Sequence, residues 1–113
     1  MHEVSIMTEA VRVAVDAAKK SGAARVTGLK LRVGTLSSAV PEALQFAWEA
    51  VCRDTIAEGA ILEIETVKAA CWCATCRTEF ICVDFLNECP RCQNPSFELR
   101  RGRELEITSV ETN

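Results

Sequence analysis

Two Cys-x-x-Cys pairs, Cys73-Ala74-Thr75-Cys76 and Cys89-Pro90-Arg91-Cys92, stand twelve residues apart in this chain. Each pair fits a tight turn that offers two sulfurs to one ion, and the spacer lets the second turn face the first. Four thiolates around one centre suit tetrahedral zinc, with iron the competing metal. The set is complete without an open ligand position, so it reads as a structural zinc site held by Cys73, Cys76, Cys89 and Cys92.

A second candidate stands at the start of the chain, Met1-His2-Glu3, where His2 is the only histidine. A large residue at position two protects the initiator methionine from removal, so the terminal amine belongs to Met1. That amine and the His2 amide nitrogen close a five-membered chelate ring, and the amide and imidazole close a six-membered one. Three nitrogens in one plane favour square-planar Ni(II) or Cu(II) over zinc, and the Glu3 amide or carboxylate can complete the plane. Binding needs a deprotonated amine and amide and therefore weakens on acidification. On these three residues alone, an exposed histidine on a frayed terminus remains the plainer reading.

Little else in the chain points to chemistry. There is no Gly-rich phosphate loop and no nucleophile beside a histidine. Paired carboxylates such as Glu63 and Glu65 read as the wet face of a strand. The 113 residues suffice for one ordinary domain, or a small one carrying a smaller module. With 49% hydrophobic and 26% charged residues they belong to a globular class. No apolar run reaches membrane-span length and no signal-peptide layout opens the chain. Seven cysteines, four of them in metal-type pairs, suit a reducing compartment, and a cytoplasmic location is expected. The net charge of −3 gives no general attraction for nucleic acid. The one basic cluster, Arg100, Arg101 and Arg103, reads as a solvated turn flanked by Glu98, Glu104 and Glu106.

The elements that must position these groups follow from periodicity. Ser5 is expected to cap a helix to about Ser21, with Ile6, Met7, Ala10, Val11, Ala14, Val15 and Ala18 on its apolar face and Gly22 as its stop. From Arg25 the period changes to two, with Leu29, Leu31 and Val33 inward and Gly34 at the end. Pro41 suits the first turn of a second helix whose stripe is Leu44, Ala47, Trp48 and Val51, with Cys52 as a small buried hydrophobe. A strand with Leu62 and Ile64 follows Gly59. Trp72, Phe80, Phe85 and Phe97 are the expected apolar cover of the cysteine module, which leans on its metal. Cys71 is a possible competitor for Cys73 as a ligand. A last strand through Leu105 and Ile107 returns to the first sheet. The expected architecture is α+β: a small mixed sheet with two helices, 1–68 and 104–113, carrying an inserted four-cysteine zinc ribbon, 69–103.

Read as a whole, the chain resembles the HypA/HybF family of hydrogenase maturation proteins. The matching features are Met1-His2-Glu3, the segment Arg25-Val26-Thr27 through Gly34, Leu36-Ser37, Phe46 with Glu49, Val51-Cys52-Arg53 and Glu58-Gly59. Cys71-Trp72-Cys73, both cysteine pairs and the final Ile107-x-Ser109-Val110-Glu111 complete the set. The resemblance reverses the balance at the terminus. It implies a nickel metallochaperone and not an enzyme, with nickel held through His2 and helped by Met1 and Glu3. It also implies zinc on the four cysteines. The implied partners are a nickel-handling maturation GTPase and the large subunit of a nickel-iron hydrogenase, or urease in some organisms. Nucleic acid and membrane are not expected partners, and the chain is expected to be a monomer or weak homodimer. Many members have an acidic residue just ahead of the second helix; Val40 stands there, so no ligand is carried over from that loop.

Two other classes fit parts of the pattern. A zinc-ribbon nucleic-acid or interaction module would use Trp72 and Phe80 as stacking platforms. A rubredoxin-like iron protein would normally have glycines where this chain has Arg77 and Gln93.

Overall fold

In the computed structural model the described residues are 2–82 and 87–113, with side chains from Glu3 onward. Met1 and Phe85, which enter the expectations above, lie outside them. The order is α1 (His2–Ser21), β1 (Val26–Gly34), α2 (Pro41–Cys52), β2 (Ile61–Val67), β3 (Ala70–Cys73), β4 (Thr78–Ile81), β5 (Leu99–Arg101) and β6 (Leu105–Thr112). Two three-stranded sheets result, ordered β2-β1-β6 and β4-β3-β5.

The first sheet is mixed. β1 pairs in parallel with β2, the two joined through α2, and antiparallel with β6. The period-two pattern has its physical origin here: Leu29, Leu31 and Val33 are buried under the helices, while Lys30 and Arg32 turn outward. On that outer face Arg32 reaches Glu65 at 3.3 Å and Glu106 at 3.2 Å, and Lys30 reaches Glu63 at 3.7 Å. The paired carboxylates are thus a solvated strand face, as expected. Met7, Ala10, Val11, Ala14 and Ala18 from α1 meet Leu44, Ala47, Trp48 and Cys52 from α2 over this sheet.

The start of α1 corrects one expectation. Ser5 does not cap the helix, which begins at His2. Val4 is already inside it, since its carbonyl accepts the Thr8 hydroxyl at 2.7 Å. Glu3 in the first turn and Lys19 and Lys20 in the last complement the helix dipole. Gly22, at φ +76°, closes the helix, while the Ala23 N–H reaches the Ala18 carbonyl at 2.9 Å. At α2, Val40 occupies the N-cap in an extended conformation without a side-chain cap. Pro41 follows, where its missing N–H costs nothing.

The second sheet has β3 at its centre, antiparallel to both neighbours. Its core is largely sulfur: Cys71, Cys73, Cys82 and Cys89 with Ala69 and Phe80, against which Cys76, Cys92, Leu99 and Leu36 pack. Phe97, expected among the cover, is 95% exposed and contributes nothing to it.

The two sheets meet closely at their junction. The Gly34 N–H donates to the Glu104 carbonyl, and the Leu36 N–H donates to the Gly102 carbonyl, both at 2.7 Å. The Thr35 hydroxyl accepts the Ala69 N–H at 3.0 Å. A Cβ at Gly34 would fall 2.1 Å from the Gly102 carbonyl oxygen, so only glycine permits this approach. The molecule is elongated, 55 × 27 × 16 Å.

Candidate metal centre

The four paired cysteines converge. The sulfurs of Cys73, Cys76, Cys89 and Cys92 all lie within 4.8 Å of one another. Cys73 and Cys92 are 3.5 Å apart and Cys76 and Cys89 3.9 Å. A tetrahedron of sulfurs at the usual zinc–thiolate bond length has edges of about 3.8 Å, so the donor set and its size fit zinc.

Local backbone chemistry builds this arrangement. Cys73 ends β3, and the turn that follows directs the Cys76 N–H at the Cys73 sulfur, 3.4 Å away. In the second turn the Gln93 N–H returns to the Cys89 carbonyl at 2.7 Å, and the Cys89 N–H donates to the Asn94 carbonyl at 3.0 Å. Asn94 also donates its side-chain amide to the Thr75 hydroxyl at 3.0 Å, tying one turn to the other. Ser96, a buried polar residue, donates to the Trp72 carbonyl and accepts the Glu98 N–H at 3.2 Å. Arg77 and Gln93, directly after each pair, take φ of +54° and +65°. The backbone therefore adopts the glycine-favoured conformation at both positions without glycine.

The electrostatics fit a cation. Backbone N–H groups of Cys92 and Arg91 draw the Cys89 thiol down to about 6. The Cys76 thiol is instead pushed up to about 12, first by hydrogen bonding with Cys92 and then by burial. Four sulfurs this close cannot all carry negative charge unless a positive ion sits among them.

The other cysteines are placed apart from this set. Cys52 is buried in α2, and burial pushes its thiol up to about 11, as suits an inert core residue. Cys71 does not compete with Cys73. Its sulfur lies 3.1 Å from that of Cys82, and burial, followed by that contact, pushes its thiol up to about 11. This pairing was not read from the sequence, although the β3–β4 register that produces it joins two short, recognisable segments.

Of the terminal residues singled out in the sequence, the backbone of His2 and the whole of Glu3 are described. His2 is the first residue of α1 and Glu3 is half-buried in its first turn. Phe80 is buried, which removes it as a stacking platform for bases, and Trp72 carries the Arg100 guanidinium 4.6 Å from its ring centroid. Arg100 and Arg101 are paired with Glu98 at 3.1 Å and Glu79 at 2.7 Å, so this cluster is largely neutralised.

A two-helix α/β unit joined to a sulfur-cored ribbon with four convergent thiols defines a small metal-binding protein. The profile of the family described as "Hydrogenase/urease nickel incorporation, metallochaperone, hypA" matches residues 1–112. Among similar proteins, a hydrogenase maturation factor HypA from Picosynechococcus is 48% identical over 111 residues, covering 98% of each chain. A HybF from Klebsiella pneumoniae is 34% identical over 111 residues, again 98% of each. Two solution structures share the fold at 23% identity. That of the Ni metallochaperone HypA from Helicobacter pylori has a TM-score of 0.67 and covers 99% of this chain and 97% of that one. Another, of a HypA protein, has a TM-score of 0.73 over 100% and 97%. The chain belongs to the HypA family of nickel-incorporation metallochaperones.

Proposed function

We propose that this chain binds Ni(II) at its N-terminus and delivers it during maturation of nickel-iron hydrogenase, while zinc on Cys73, Cys76, Cys89 and Cys92 holds the ribbon together. It acts as a carrier, without turnover of its own. The supporting observation is that the family match begins at residue 1 and so takes in Met1-His2-Glu3.

The start of α1 at His2 suits this chemistry. The first N–H groups of a helix have no partner within it, so the His2 and Glu3 amides are free of helical hydrogen bonds. Deprotonating the His2 amide for a metal therefore breaks no turn. A cation at the positive end of a helix dipole is disfavoured unless the site brings negative charge. The deprotonated amide supplies it, and Glu3 adds more. The Met1 amine, His2 amide and His2 imidazole form the planar core, with Glu3 as the fourth ligand. Such a site holds nickel moderately and stays open to a partner with more ligands. A closed four-thiolate site does neither.

On this reading residues 1–68 and 104–113 form the nickel-binding domain and 69–103 the zinc domain. The receiving partners are a nickel-handling GTPase and the hydrogenase large subunit, met in the cytoplasm by a monomer or weak homodimer. Nucleic acid and membrane have no part. The test is complementation of a hydrogenase-positive strain deleted for its own family member. The wild-type chain restores hydrogenase activity and His2→Ala does not. Full restoration by His2→Ala contradicts the proposal.

A further inference from the structure

Cys71 and Cys82 stand outside the four-thiol set, yet their sulfurs are 3.1 Å apart and both residues are buried. A disulfide needs sulfurs about 2.05 Å apart, so roughly 1 Å of approach separates this contact from a bond. The backbone holds the two cysteines differently. Cys82 follows the last residue of β4, and its N–H reaches the Ala69 carbonyl at 3.1 Å. Cys71 is held more firmly, in register with Phe80 on one side and Leu99 on the other. Cys71 thus lies within the sheet, and Cys82 just past the end of an edge strand.

Only Cys82 of the two borders a cavity. Cys82 lines a pocket of about 280 Å³ with Thr35, Lys68, Ala69 and Ile81, at the junction between the sheets. That volume admits a small oxidant beside Cys82.

We propose that Cys71 and Cys82 are a reversible redox site that takes up a small peroxide and forms an intramolecular disulfide independent of the metal knot. The Cys82 sulfur attacks one peroxide oxygen, the O–O bond breaks, and the leaving oxygen departs as water, giving a sulfenic acid at Cys82. The Cys71 sulfur then attacks the Cys82 sulfur and displaces the sulfenic hydroxyl. That hydroxyl takes the Cys71 proton and leaves as a second water. Two thiols and one hydrogen peroxide give one disulfide and two waters; the sulfurs together lose two electrons, which the peroxide gains. A dithiol reverses the step. The bond ties the end of β4 to the centre of the ribbon sheet, beside the Ala69 contact on which the two sheets join.

The experiment treats the full chain, zinc-loaded, with stoichiometric hydrogen peroxide, alkylates the remaining thiols and maps the peptides by mass spectrometry beside a zinc assay. The expected result is a Cys71–Cys82 linked peptide, two hydrogens lighter than the reduced pair, with zinc fully retained and the link removed by dithiothreitol. Cys71→Ser and Cys82→Ser each lose the link and keep zinc. Mapping the wild-type chain carries the test even where a variant folds poorly. The proposal is overturned if the first disulfide joins knot cysteines with release of zinc, or if Cys71 and Cys82 are both alkylated after peroxide.

Discussion

Replacing Gly102 by alanine tests how the two sheets are joined. Gly102 sits at φ +128°, outside the range side chains normally take, and its added Cβ would lie 2.5 Å from the Ala69 Cβ and 2.6 Å from its Cα. Neither atom is the end of a flexible chain, so the backbone itself must move. Its movement strains the bond from the Leu36 N–H to the Gly102 carbonyl. Strain at such a φ costs about 1–3 kcal/mol, and forcing a methyl group into filled space about 1–3 kcal/mol more. Together they remove about 4 kcal/mol from a chain whose whole stability is on the order of 10 kcal/mol. At about 4 °C per kcal/mol, the melting temperature falls by about 15 °C. Gly22→Ala is the control: its φ is +76° but nothing lies within 4 Å, so only the conformational cost of about 1–2 kcal/mol applies. The assay is thermal melting of zinc-loaded wild-type, Gly22→Ala and Gly102→Ala protein by circular dichroism. Equal melting of the two variants would refute the steric argument at the junction.

Three further outcomes follow from the same geometry. Leu44→Ala, at a fully buried α2 position, should destabilise the protein by about 2–5 kcal/mol in urea titration, and a loss under 1 kcal/mol would show the α2 packing misjudged. Removing the metal with a strong chelator should collapse the sulfur-cored sheet, whose few apolar groups cannot replace a zinc contribution of about 10 kcal/mol or more. Trp72 emission in a Trp48→Phe background should then shift red while helical circular dichroism persists; joint loss of both signals would show that the two sheets unfold as one. Cys52 should resist alkylation in folded protein at mildly alkaline pH. Its folded pKa, about 11, lies above the ordinary 9.0, so its contribution to stability is full below pH 9 and is lost as pH rises towards 11. Alkylation of Cys52 as fast as in urea would contradict its burial.

Much of this was legible because local signals and tertiary demands agree. The alternation of Leu29, Leu31 and Val33 with Lys30 and Arg32 survives as a half-buried strand, and Pro41 and Gly22 mark helix ends for conformational reasons that need no neighbours. The two Cys-x-x-Cys turns were legible because each is built by local backbone bonds, and the Asn94–Thr75 bond ties one to the other. The misreadings arise where another force decides. Ser5 looks like a cap, but the helix runs back to His2, with Glu3 in its first turn complementing the dipole. Phe97 looks like core, yet the sulfur cluster already fills the small interior. Cys71 and Cys82 meet only through strand register, which spacing alone does not give.

The central claim is a nickel site at the terminus, separate from the zinc knot. The direct measurement is zinc analysis and nickel titration of protein with a native, untagged N-terminus, beside His2→Ala. The account predicts one zinc per chain in both proteins and a nickel site that His2→Ala abolishes. Nickel affinity undiminished in His2→Ala, or zinc lost along with nickel, would contradict it.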